Sequence, residues 1–305
     1  MSAPLPRHLL APWHWPAWLG FGFIWLIGQL PWRTALRLGA AFGGLMYWFM
    51  PGRRRIAATN LALCFPELDP LARHDLLREN FRDLGRMLTE FAICWMASPR
   101  RFPLIPHRID GLEHMTRAMA DGRGVLLVGA HFSHLELCAR LIARHVAYAG
   151  FYREHGSPVF EWAVKRRRMR YAKDMYGRKE LRAAVKHLRK AGALWYAPDQ
   201  DMRGKDSVFA PFFGIATSTI TATHHLAKLS GAAVIPFAHQ RLSGDGGYVI
   251  RLDAPLDGFP SADVVADTAR INGIIEAMVR DAPTQYFWVH KRFKTRPAGE
   301  PPLYR

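Results

Sequence analysis

The chain predicts an α/β fold: a mixed, mostly parallel sheet flanked by helices, with an N-terminal membrane helix in front of it. Two observations predict the sheet. Short, continuously apolar runs of strand length recur beyond residue 120, and stretches of helical spacing separate them. A third observation predicts the membrane helix. The 25 residues between Arg7 and Arg33 contain no Asp, Glu, Lys or Arg, and about 20 apolar residues suffice to cross a bilayer core.

The N-terminal region supports that expectation in its composition. Six of the ten tryptophans (Trp13, Trp15, Trp18, Trp25, Trp32 and Trp48) lie in the first 50 residues, and no acidic residue precedes Glu67. Indole rings favour the headgroup level of a membrane. Pro12, Pro16 and the Trp cluster fit a cleavable signal peptide poorly. One Arg precedes the apolar run and five follow it before residue 56, so the positive-inside rule places the body of the protein in the cytoplasm, behind a single span. The stretch 35–50, interrupted by Arg37 and rich in Gly, reads as an interfacial or packed helix. Residues 1–52 therefore form an anchor and interfacial helix, and residues 53–305 a cytoplasmic domain.

The elements of that domain follow in order. Residues 69–96 place Leu76, Leu77, Phe81, Leu84, Leu88 and Phe91 at helical spacing, and prolines at 99, 103 and 106 stop the run. Strands are expected at 124–130, 146–152, 193–197, 232–237 and 248–252. Helices are expected at 133–145, at 158–190 with a break near Gly177, at 218–230 and at 262–281. A polar loop follows the third strand.

Charge narrows the function. Lys and Arg outnumber Asp and Glu by 42 to 25, a formal charge of +17, so an anionic partner is expected. The segment 165–190 alone carries twelve Lys or Arg against Asp174 and Glu180. A solvated basic helix face explains part of it. Four consecutive cations at 165–168 repel one another, and a phosphorylated lipid or an acidic protein would offset that. Nucleic acid is not expected, because no DNA- or RNA-binding signature occurs and the N-terminus points to a membrane. No G-x-G-x-x-G follows a strand, and neither a P-loop nor a G-x-S-x-G elbow occurs. Cys64, Cys94 and Cys138 are scattered and lack a C-x-x-C, which argues for a reducing compartment with neither disulfides nor a thiolate metal site.

The first central strand runs directly into AHFSHLELCARL. His131 stands where the strand ends, and Glu136 opens the next helix. Carboxyl ends of strands are where α/β folds collect their ligands. Two other readings remain open here. Ser133-x-x-Glu136 is also a capping box, and His131-x-x-His134 is a metal pair without an evident third ligand.

HFSHLE resembles the His-x4-acid motif of glycerolipid-type acyltransferases, in the Glu form found in the late lipid A acyltransferases. The resemblance continues through FYRE (151–154), RRMR (167–170), WYAPDQD (195–201), VFAPFFG (208–214), IPF (235–237) and HKRFKTRPAGEPPLY (290–304), and so covers nearly the whole chain. Its lauroyl-type members are the most similar in pattern. The resemblance implies an enzyme of the inner membrane of a Gram-negative bacterium. Such an enzyme moves a fatty acyl chain from acyl carrier protein to a 3-hydroxyacyl chain of the Kdo-bearing tetraacylated lipid A precursor, with no bound cofactor or metal. It also singles out Arg168 and Asp199 as positions supporting activity, and Arg153 as a contact with donor or acceptor.

The chemistry fits those residues. His131, with an ordinary pKa of about 6.5, suits a base that takes the proton of an acceptor hydroxyl. Glu136 would then accept the other imidazole N–H and fix its tautomer. Asp199 and Asp201 also read as loop-capping residues after the third strand. A lysophosphatidate-type acyltransferase is the alternative enzyme, although that class carries Asp in the motif and lacks the FKTRP ending. A non-enzymatic protein that binds anionic lipid is the alternative of another kind, and it leaves His131 and Glu136 without work.

Overall fold

A computed structural model of the protein describes residues 5–98, 100–152, 156–177, 179–244 and 246–304. Four helices come first: α1 (Trp15–Gly28), α2 (Trp32–Phe49), α3 (Pro51–Cys64) and α4 (Pro70–Met96). Prolines set their starts. Pro31 precedes α2, and Pro51 and Pro70 open α3 and α4, where the fixed φ suits a first turn and the missing N–H costs nothing. Asp69 caps α4, its carboxylate accepting from the backbone N–H groups of Leu71 and Ala72 at 2.8 and 2.9 Å. Small residues bring α2 onto α4: a Cβ built on Gly85 would overlap the backbone of Gly39 and Gly43.

The expected membrane-spanning helix is not found. Among the described residues no helix is long and apolar enough to cross a membrane. The uncharged stretch is divided by its own prolines into two short 3-10 turns and α1, and a bend at Gln29–Pro31 separates α1 from α2. At 14 residues, α1 is about 21 Å long by the ~1.5 Å rise per residue. A bilayer core is about 30 Å thick.

Beyond α4 the chain alternates. First come β1 (His107–Asp110), α5 (Leu112–Ala120), β2 (Val125–Val128), α6 (Leu135–Ile142), β3 (Ala149–Phe151) and α7 (Pro158–Arg168). Next are β4 (Asp174–Tyr176), α8 (Leu181–Leu188), β5 (Ala193–Tyr196) and the hairpin of β6 (Ser207–Phe212) with β7 (Ile215–Ile220). The chain ends through α9 (Ala222–Ser230), β8 (Ala233–Arg241), β9 (Tyr248–Leu252) and α10 (Val264–Asp281). The seven-stranded sheet has the order β1-β9-β8-β2-β5-β3-β4 and is parallel except between β8 and β9. The mixed, mostly parallel sheet is therefore the one expected.

Three details differ from the sequence reading. β4 lies inside the stretch 158–190 taken as helix, and β1 was not foreseen. The expected helix at 218–230 begins only at Ala222, because Ile215–Ile220, with β-branched Ile215, Thr217, Thr219 and Ile220, pairs with β6 instead. Central β2 is buried on both faces. Leu126 and Val128 join one core with Leu194 and Trp288, whereas Val125 and Leu127 join another with Ala193 and Leu141.

Candidate active site

The sheet itself builds the site. β2 and β5 are parallel neighbours with Val128 opposite Tyr196. Three residues beyond each pair member stand His131 and Asp199, so the register sets imidazole and carboxylate side by side at the carboxyl edge. Asp199 Oδ1 lies 2.6 Å from His131 Nδ1, and Asp199 Oδ2 accepts the His131 backbone N–H at 2.9 Å. One carboxylate thus fixes both the ring and the main chain of the histidine. With Nδ1 engaged, Nε2 is the nitrogen left for a substrate, and the His131 side chain remains 34% exposed while that of Asp199 is 1% exposed.

The electrostatics follow from that contact. Burial raises the cost of the Asp199 charge, yet the imidazolium of His131, two hydrogen bonds from that residue and the more distant Arg292 outweigh it, holding the carboxyl down at about 2. For His131, burial opposes the charged ring, but the Asp199 carboxylate and its hydrogen bond prevail and raise its pKa above 6.5. Asp199 does not cap its own loop. Asp201 does lock its segment, accepting from Thr295 N and Oγ1, both at 2.9 Å.

Glu136 has a different place from the one expected. Its carboxylate does not orient His131. Arg168 Nε and Nη2 each donate to it at 2.7 Å, and Trp95 Nε1 and Tyr171 Oη donate to Oε1 at 2.9 and 2.6 Å. Burial works against this charge, and the Arg168 guanidinium and the hydrogen bonds more than offset it, so the carboxyl stays below its usual range. The capping box is not formed either, since α6 starts after His134 without a side-chain cap. The physical reason is geometric: α6 turns the Glu136 side chain toward α4 and α7, where a cation and two neutral donors wait. Arg168 is thereby committed to Glu136 instead of facing substrate with its whole fork. Arg153 lies outside the described residues.

Two supports were missed by sequence reasoning. Trp95 and Tyr171 hold Glu136, and Tyr171 is one turn after Arg168 in a stretch noticed only for its charge. The turn 131–133 is braced by the segment 284–290: Ser133 N donates to Gln285 O at 2.8 Å and Phe287 N to His131 O at 3.0 Å. Asn80 Nδ2 in turn donates to Thr284 O and Tyr286 O at 2.7 and 2.8 Å, and Asn60 Nδ2 to Trp288 O and His290 O at 2.6 and 2.8 Å. Two buried asparagines thus tie the first helices to the strand edge that carries the histidine.

Beside the Glu136 cluster, α1 and α7 enclose an apolar cleft of about 240 Å³, lined among others by Trp18, Phe21, Trp25 and Trp162, with Arg166 and Arg167 at its side. Trp95 packs with the same residues and donates to Glu136. Hydrocarbon-compatible space therefore lies one side chain from the buried carboxylate.

A histidine oriented by a buried acid, with no Ser, Thr or Cys side chain hydrogen-bonded to it among the described residues, fits the class of enzyme in which a substrate supplies the attacking hydroxyl. Comparison with known proteins makes the class specific: a family described as bacterial lipid A biosynthesis acyltransferase matches residues 4–295, and the chain belongs to that family. Relatives include the lipid A biosynthesis lauroyltransferase of Escherichia coli K12, 39% identical over 297 residues and 97% of each chain. The palmitoleoyltransferase of the same organism is 40% identical over 299 residues, covering 98% of this chain and 97% of its own. The lipid A biosynthesis myristoyltransferase of that strain is 27% identical over 298 residues, 96% of this chain and 91% of the relative.

Proposed function

We propose that the protein transfers a dodecanoyl-like fatty acyl chain from acyl carrier protein to a hydroxyl of a 3-hydroxyacyl chain on a Kdo-bearing lipid A precursor. The observation that carries the reading is the His131–Asp199 pair at the carboxyl edge of β2 and β5. His131 Nε2 accepts the proton of the acceptor hydroxyl as its oxygen attacks the thioester carbonyl. A C–O bond forms, the C–S bond breaks as the tetrahedral centre collapses, and the proton passes to the departing thiolate. Asp199 holds the tautomer and steadies the imidazolium. The Glu136–Arg168 pair positions the turn and α7 beside the apolar cleft and so acts through structure.

The same reading puts residues 1–52 on the cytoplasmic face of the inner membrane, lying in the interface. Leu19, Phe23 and Leu26 on α1, with Leu38, Phe42, Leu45 and Phe49 on α2, recur at helical spacing and are 52–80% exposed. Arg33, Arg37 and Arg53–Arg55 accompany them, and no acidic residue precedes Glu67. An apolar stripe flanked by cations suits an anionic leaflet.

The test is mass spectrometry of lipid products after incubation of precursor with a mixture of lauroyl-, myristoyl- and palmitoleoyl-loaded acyl carrier protein. One added acyl chain, with lauroyl preferred, is expected from the wild type and none from His131→Ala. Turnover by a folded His131→Ala protein at the wild-type rate would overturn the assignment of the base.

A further inference from the structure

Behind the 131–136 turn lies a cluster that the proposed reaction does not use. His134 precedes α6, Cys138 sits one turn further on, and His239 comes from β8. The backbone N–H of Cys138 donates to His134 O at 3.0 Å, so the two residues share one helix face at the i, i+4 spacing. The parallel register of β2 with β8, Val128 opposite Pro236, brings His239 level with the turn. One imidazole nitrogen of each histidine and Cys138 Sγ all lie within 4.8 Å of one another. The rings meet edge to face, their centroids 4.7 Å apart.

The burial is what makes the cluster unusual. His134 and Cys138 are 0% exposed and His239 is 5% exposed. Among the described residues His134 Nε2 and both ring nitrogens of His239 have no hydrogen-bond partner, and His134 Nδ1 lies 3.5 Å from Ser133 Oγ. A buried polar atom left without a partner is destabilising, and here two imidazoles stand against one buried thiol that forms no disulfide. A metal ion held between them engages one nitrogen of each ring and the thiolate at once.

We propose that His134, Cys138 and His239 form a binding site for a zinc ion that fastens the first turn of α6 to β8. Two imidazoles and a thiolate are the donor set zinc prefers, with bonds of about 2.0–2.3 Å. Tetrahedral geometry at those lengths would put donor atoms about 3.3–3.6 Å apart, so binding would draw the three side chains closer than the 4.8 Å within which they now stand. The site revises the expectation of no metal centre, which rested on the missing C-x-x-C. The fold supplies from β8 the third ligand that His131-x-x-His134 lacked. His131 itself stays with Asp199.

The experiment uses the full-length, tag-free protein in detergent. Purified from zinc-supplemented cells, it is expected to carry about one zinc per chain by elemental mass spectrometry. Stripped protein titrated with cobalt(II) is expected to show a thiolate-to-cobalt charge-transfer band that saturates at one equivalent. Cys138→Ser and His239→Gln, each checked for folding by near-ultraviolet circular dichroism, should lose both the zinc and the band. The wild-type titration keeps the test decisive even where a variant fails to fold. Absence of the band in folded wild-type protein, or retention of full zinc by folded Cys138→Ser, would overturn the proposal.

Discussion

At the scale of single residues, the His131–Asp199 contact predicts a signed pH dependence. Under the proposed mechanism His131 is the base and must be neutral to work, and Asp199 raises its pKa above 6.5. Activity should therefore fall as pH drops through that raised value. In Asp199→Asn the stabilising anion is gone while burial still disfavours the imidazolium, so the acid limb of kcat/KM should move to lower pH. The plateau should drop by about 10²–10⁴, the usual worth of general acid–base catalysis. Steady-state rates from pH 5 to 9 for both proteins check this, and an unmoved limb would count against the pairing. Glu136→Gln should behave otherwise. It leaves the guanidinium of Arg168 facing a neutral amide, and breaking a buried ion pair costs about 3–5 kcal/mol. The effect should fall below that range, since the Arg168 side chain keeps 22% exposure and solvent screens the charge it leaves behind. A lowered Tm, partly restored in Glu136→Gln/Arg168→Met, is the expected result. The histidine was legible in the sequence as the residue ending an apolar strand, whereas Asp199 was singled out only by the family resemblance and its pairing with His131 was not foreseen. Glu136 is five residues away in the chain, whereas Asp199 is reached only through the β2–β5 pairing, which periodicity does not reveal.

Among the elements, legibility follows burial. Strands covered on both faces, such as β2, β5 and β8, announce themselves as continuous apolar runs. The edge strand β4 has three residues and lies within a basic, helix-like stretch, and the hairpin strand β7 carries Ala-Thr-Ser-Thr, whose pattern only its pairing with β6 resolves. The same dependence on a partner governs the α2–α4 crossing, where glycines permit contact that an amphipathic pattern alone does not specify. Gly85→Leu should drive the two helices apart, because its side chain would start inside the backbone of Gly39 and Gly43. Overpacking of this kind costs about 1–3 kcal/mol. Urea unfolding should show the loss, while Gly44→Leu, which lies inside α2 and meets nothing within 4 Å, should not lower the midpoint and should raise it slightly, since Leu favours the helix over Gly.

Across the whole molecule, the proposed membrane attachment would draw separably on charge and on exposed hydrocarbon. The sequence showed the first 50 residues to be apolar, Trp-rich and free of acid, but the count of uncharged residues overstated the length of any one helix. Prolines at 12, 16 and 31 divide the stretch, and the helices pack on α4 with their outer faces bare. If those faces enter the interface, binding to vesicles has a component that salt does not remove. Exposed charges are screened over a Debye length of about 8 Å at physiological ionic strength, whereas burial of an aromatic side chain is worth about 1.5–3 kcal/mol at any salt. Sedimentation with vesicles containing anionic lipid should therefore separate two classes of variant. Phe23→Ser/Phe49→Ser should weaken binding tenfold or more at both low and high salt, since each factor of ten corresponds to about 1.4 kcal/mol. Arg53→Ser/Arg55→Ser should weaken it at low salt only and converge with wild type as salt rises. Loss of all wild-type binding at high salt would mean that the exposed stripe does not enter the bilayer and that attachment is electrostatic alone.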